Sequence, residues 1–292
     1  MTASDPAVGR VGAAAFVVRR RTALLMGAAS LLCLVAFTWP LLADSRGVGV
    51  AGGNANLAHG ADAPWVFVAL LPLLLALVLA ELADGTLDAK SVAVLGVLGA
   101  CGCALRIPGG VSGFEPVFFL LIPAGRVLGR GFGFVLGALT LFASALITGG
   151  VGPWLPFQMF GAAWVGFFAG CLPPARGRRE LVLLAGYGFV AGLVYGLLLD
   201  LWFWPFLAAG TRLGPVPGAP LTENLHRFVA YHLATAMGWD LVRALTNGVL
   251  VLVAGAPVLA ALRRASRCAA FGAPVGFVET GSGAPVAPPP PG

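Results

Sequence analysis

Asp240, Arg243 and Asn247 stand at i, i+3 and i+7, a spacing that puts a carboxylate, a guanidinium and an amide on one face of a helix. Asp200 lies beside Trp202 and Trp204, and Arg106 and Glu115 bracket the stretch RIPGGVSGFE. Between two apolar runs, GGVGPWLPFQM (149–159) carries Trp154, Phe157 and Gln158 on a backbone stiffened by Pro153 and Pro156. Such groups suit ligand binding: aromatic faces for stacking, with an amide and a few charges to fix orientation in apolar surroundings. Each also has a plainer use. Asp240 and Arg243 serve equally as an ion pair that lets a polar turn pack, and Trp202 and Trp204 as anchors at a membrane interface. His226 and His232 fit loop or helix-surface positions better than metal coordination.

Catalytic signatures are missing. The single lysine, Lys90, follows Ala89 where a phosphate-binding loop needs glycine, so the chain holds no ATP site of its own. It has no Gly-x-Ser-x-Gly elbow and no His-Glu-x-x-His pair. The five cysteines imply neither a disulfide nor a metal set; Cys101 and Cys103 diverge by about 200° on a helix.

The elements that must position these residues are apolar throughout. A mean hydropathy of +0.92 with 10% charged residues over 292 positions lies outside the range of soluble domains. Runs able to supply the roughly 20 apolar residues of a membrane span fall at 22–43, 64–82, 88–106, 114–128, 131–149, 155–172, 181–206 and 227–262. The expected fold is an all-α, polytopic membrane helix bundle. Arg10, Arg19, Arg20, Arg21, Lys90, Arg126, Arg130, Arg176, Arg178, Arg179, Arg263, Arg264 and Arg267 fall on one side of it. Only Arg46, Arg106, Arg212 and Arg227 fall on the other, so both termini are expected to be cytoplasmic. The net charge of +6 thus reports topology, not a nucleic-acid surface.

The organisation expected is a basic cytoplasmic N-terminus (1–21), two helices (22–87) whose first is an uncleaved anchor, a helical core (88–264), and a disordered Pro-rich cytoplasmic tail (265–292). Counting about 1.5 Å per residue back from Arg263, a 30 Å core ends near Arg243. The segment 227–242 must therefore tilt, bend near Gly238 or protrude. Gly96, Ala100 and Ala104 form a ridge without bulk, which either packs inside the chain or docks a partner helix.

The stretches LRIPGGVSGFEPVFFLLIPAGRVLGRGFGFVLGALTLFASALITGGVGPWLPFQMFGAAWVGFFAG and TAMGWDLVRALTNGVLVLVAGAPVLAALRR carry a family likeness. From Asp88 to Arg264 the chain resembles the substrate-binding S components of energy-coupling factor (ECF) vitamin importers. Its Gly152–Met159 element is similar to that of the branch including cobalamin S components. The resemblance implies a six-helix core that captures a vitamin or vitamin precursor, cobalamin or a related corrinoid, from outside. It also implies a transmembrane coupling subunit and two ATPase subunits that hydrolyse ATP, no cofactor on this chain, and docking through the ridge at Ala100 and Ala104. The ligand would meet Arg106, Trp154, Phe157, Gln158, Asp200, Trp202, Asp240, Arg243 and Asn247. The two helices ahead of the core and the Pro-rich tail depart from the family pattern. The alternatives are a cobalt or nickel S component, against which the start Met1-Thr-Ala-Ser-Asp5 lacks a Met-x-His site, an intramembrane enzyme using Asp200, Asp240 and His232, and a structural membrane protein with no ligand.

Overall fold

The computed structural model describes residues 20–42, 89–109, 113–208, 210–216 and 218–269. The expected helix over 64–82, residues 1–19 and the tail beyond 269 lie outside the described residues. Within them the chain is all helical: α1 (Arg20–Leu42), α2 (Ala89–Arg106), α3 (Phe118–Leu128), α4 (Arg130–Thr148), α5 (Leu155–Cys171), α6 (Arg178–Leu207), α7 (Leu221–Tyr231) and α8 (Met237–Ala269). One π-helical turn, His232–Ala236, joins α7 to α8, so that Leu221–Cys268 runs as a single helix of 48 residues. Arg130–Thr148, Arg178–Leu207 and Leu221–Cys268 are long and apolar enough to cross a membrane.

Small residues set how the rods meet. A Cβ added at Gly133 would overlap the Gly166 backbone, one at Gly137 the Ala162 backbone, and one at Gly170 the Arg130 backbone. The paired numbers fall on one chain as they rise on the other, so α4 and α5 are antiparallel with their backbones in contact. The same reading applies to α6 and α8, where Gly192 abuts Ala244 and Gly196 abuts the Asp240 carboxylate. Against α4, α2 runs parallel: Gly102 and Cys103 meet Thr140, and Arg106 meets Ser144.

The run at 114–128 does not form a span. Its helix, α3, has 11 residues, about 16 Å by the rise of an α-helix, too short for a hydrocarbon core of about 30 Å. Phe118 and the whole of Leu120–Gly125 are buried, so its apolar sequence serves the interior of the bundle and not lipid. Gly129, at φ 101°, turns the chain directly into α4.

Ahead of the core, α1 is part of the folded unit. Met26, Ala29, Cys33 and Phe37 are buried at helical spacing, and Phe37 packs edge-on to Phe157 with ring centroids 5.0 Å apart. Trp164 Nε1 on α5 donates to Ser30 Oγ at 2.9 Å. Between α1 and α4–α5 an apolar cleft of about 300 Å³ is floored by Phe134, Trp164 and Phe167.

All five cysteines are free thiols. Cys103 is buried against α4 while Cys101 faces outward, the divergence their spacing requires.

Candidate functional site

Two polar layers cross the bundle, one at each end. At the end where α2 finishes, Arg243 joins the loop before α3 to α8: its Nε donates to Glu115 Oε2 at 2.7 Å and its Nη1 to Asp240 Oδ1 at 2.5 Å. Gly113 makes this approach possible, because its φ of 80° and the Trp239 backbone behind it leave no room for a side chain. The guanidinium also lies 5.3 Å from the ring centroid of Tyr195 on α6, a cation–π distance.

Asn247, one helical turn on, is fully buried. Its Oδ1 accepts from the Phe119 N–H at 2.8 Å, and its Nδ2 donates to the carbonyls of Glu115 at 2.9 Å and Arg243 at 2.8 Å. The Phe119 N–H belongs to the first turn of α3, where no intrahelical acceptor exists; it is shared between Asn247 and the preceding Pro116 carbonyl at 3.1 Å. Asn247→Ala strands the Glu115 carbonyl in the interior and leaves the Phe119 N–H its longer bond to Pro116. It is expected to cost about 1–3 kcal/mol, read by denaturant unfolding of the detergent-solubilised protein, and a value near zero would show that the α3 terminus finds another partner.

Asp200, near the end of α6, accepts or shares a proton with His232 Nδ1 at 2.9 Å. The opposite ring nitrogen, Nε2, faces Asp240 Oδ2 across 3.9 Å. Asp240 is 2% exposed, and its Oδ2, like the buried Tyr195 hydroxyl, has no hydrogen-bond partner. The π turn creates this meeting. Eight residues of regular α-helix would set His232 and Asp240 about 80° apart, whereas one inserted residue brings them within about 20°.

Arg106 closes the layer on the α2 side. Its Nη2 donates to Gln158 Oε1 at 2.8 Å and its Nη1 to Ser144 Oγ at 3.1 Å. Both acceptors are neutral, and no carboxylate among the described residues pairs with this guanidinium.

The opposite end carries a different cluster. Glu180, buried at the start of α6, accepts from Arg126 Nε at 3.0 Å and from Arg263 Nη2 at 2.7 Å. Arg126 Nη1 also donates to the Leu172 carbonyl at 2.8 Å. This clamp fastens α3, α6 and α8, with both Glu180 oxygens engaged.

The residues expected at a site thus divide. Arg106 and Gln158 are bonded, and Asp240, Arg243 and Asn247 share one face as their spacing requires. Asp200 reaches that face through His232. Phe157 and Trp202 are instead buried against each other, ring centroids 4.5 Å apart; Trp202 and Trp204 are interior residues and not interfacial anchors. Trp154 is 40% exposed and folds over its own turn, with Nε1 donating to the Gly150 carbonyl at 3.2 Å and its ring against Gly152. Glu115, noted in the sequence as the far flank of 106–115, joins the layer, and so do Ser144 and Tyr195, which had not stood out. His232, expected at a surface, is buried between two carboxylates. Gly96, Ala100 and Ala104 face outward from α2, with Leu95, Gly99, Gly102 and Cys103 taking the inward face.

Comparison with family models, curated proteins and solved structures finds no match to this chain.

Proposed function

We propose that the chain is the substrate-binding membrane subunit of an ECF-type importer, the family its sequence resembles. It takes a vitamin or vitamin precursor from outside at the polar layer around Arg106 and Arg243, and cobalamin or a related corrinoid is the first ligand to test. The observation that carries this reading is the Arg106 guanidinium, half-buried and held, among the described residues, by the neutral oxygens of Gln158 and Ser144. A cation at the edge of an apolar bundle, bonded to no carboxylate among the described residues, favours a ligand that brings an acid or amide oxygen. The turn 149–155 and the first turn of α5 place Gln158 beside it, so the Gly- and Pro-rich segment shapes one wall of that layer.

The rest of the assembly follows from the same resemblance. The outward ridge of Gly96, Ala100 and Ala104 is offered to a transmembrane coupling subunit, and two partner ATPases supply the energy. Both chain termini are cytoplasmic in this reading, and the six helical rods from α2 to α7–α8 form the binding core. The protein lies in a plasma membrane of bacterial type.

Small molecules released by denaturing the protein after gentle detergent purification from its own host test the proposal. A vitamin-class compound recovered near stoichiometry, enriched over an unrelated membrane protein treated alike, supports it. No such compound, followed by no binding across a vitamin panel, rejects it. With a ligand in hand, Arg106→Ala and Gln158→Ala should each weaken binding, the arginine by about 10- to 100-fold, as expected for loss of a hydrogen bond to a charged group.

The convergence of Asp200, His232 and Asp240 favours a second reading, an intramembrane enzyme in which the imidazole moves a proton between two carboxylates. Turnover of a ligand by the purified chain, abolished in His232→Ala, would select it over the importer.

A further inference from the structure

We propose that Asp200, His232 and Asp240 form a binding site for a divalent first-row transition metal ion. One donor atom from each lies within 4.8 Å of the others. Asp200 Oδ2 holds His232 Nδ1 at 2.9 Å, the carboxylate contact that fixes a ligating imidazole and leaves Nε2 with its lone pair free. Across the gap stands Asp240 Oδ2, buried and without a hydrogen-bond partner.

The 3.9 Å between these two atoms is too long for a hydrogen bond. It lies within the span of two bonds to one ion, each about 2.0–2.1 Å for zinc to nitrogen or oxygen.

Charge points the same way. Among the described residues, Asp200, Asp240 and Glu115 meet one arginine, Arg243, which is already bonded to both Glu115 and Asp240. A divalent cation offsets the remaining negative charge in a place where burying it alone is costly. An imidazole and a carboxylate as ligands, with a second carboxylate orienting the imidazole, suit Zn²⁺, Co²⁺ or Ni²⁺; all-oxygen sites serve Mg²⁺ and Ca²⁺. The ion would tie α6, the π turn and α8 together at the polar layer. The inference stands whether or not the chain binds a vitamin.

The test uses the full chain in detergent, stripped with a chelator and titrated with Zn²⁺ against a competing indicator, with bound metal counted by elemental analysis. The expected result is stoichiometric binding that falls by about 100-fold in His232→Ala and in Asp240→Asn, while His226→Ala, on the exposed face of α7, binds as the parent does. Absence of retained Zn²⁺, or equal affinity in both site variants, overturns the proposal. Should those variants fail to fold, X-ray absorption of the Co²⁺-loaded parent decides: a first shell with imidazole nitrogen and carboxylate oxygen supports the site. A shell of sulfur, or of water alone, overturns it.

Discussion

Arg243→Ala is expected to lose about 3–5 kcal/mol of unfolding free energy, the usual cost of removing one partner from a buried ion pair. Arg243, Glu115 and Asp240 are all largely shielded from solvent, so two carboxylates would be left facing apolar side chains and each other. The loss is larger than the pair's net worth, because most of it is desolvation that nothing repays. Combining Arg243→Ala with Glu115→Gln and Asp240→Asn should therefore recover part of it. Unfolding in mixed detergents, followed by circular dichroism, reads both effects. A single variant within about 0.5 kcal/mol of the parent, the range of ordinary surface changes, would mean that water or lipid headgroups already reach this layer.

Gly196→Val should be as damaging through geometry alone. A Cβ at Gly196 occupies the place of the Asp240 carboxylate, and four residues earlier Gly192 touches the Ala244 backbone. No rotamer relieves the overlap; α6 and α8 must separate or Asp240 must leave Arg243. Overpacking costs about 1–3 kcal/mol, and the broken ion pair adds to it, so a loss of about 3 kcal/mol or more is expected. Gly186→Ala on the same helix meets nothing within 4 Å and should be neutral or slightly stabilising, since alanine favours helix over glycine. Equal effects of the two substitutions would show that helix propensity, and not the α6–α8 contact, decides.

The helices were legible where apolar length and lipid-spanning length coincide. The runs at 131–149 and 181–206 became Arg130–Thr148 and Arg178–Leu207 with ends shifted by three residues at most. Hydropathy failed at α3, because burial in protein and burial in lipid demand the same residue types. It also placed the last helix too late. The turn carrying Thr222, Glu223 and Asn224 is polar on one face, so α7 begins at Leu221 and not at 227. Over 227–242, where length requires a tilt, a bend near Gly238 or a protrusion, the helix carries a π-helical turn at His232–Ala236, ending two residues before Gly238.

The site was half legible for a similar reason. Positions i, i+3 and i+7 on one helix follow from its period, so Asp240, Arg243 and Asn247 could be grouped. Glu115 lies 128 residues from Arg243 in sequence, and no local pattern announces that pairing. His232 was grouped with Asp200 and Asp240 in the enzyme alternative alone and otherwise expected at a surface, since a regular helix would have turned it away from Asp240. Trp154 attracted attention by its stiff setting, yet that setting folds the indole onto its own turn.

The docking of α1 bears on how the chain is made. This helix leaves the ribosome well before its partners, since the surfaces that bury Met26, Ala29, Cys33 and Phe37 belong largely to α5 and α6, more than a hundred residues later. Until Trp164 arrives to bond Ser30, α1 lacks the contacts that seat it, and such distant contacts form slowly. A nascent chain halted before Arg178 would therefore hold α1 without its final seat, and completion of α6 is the step that closes the bundle around it.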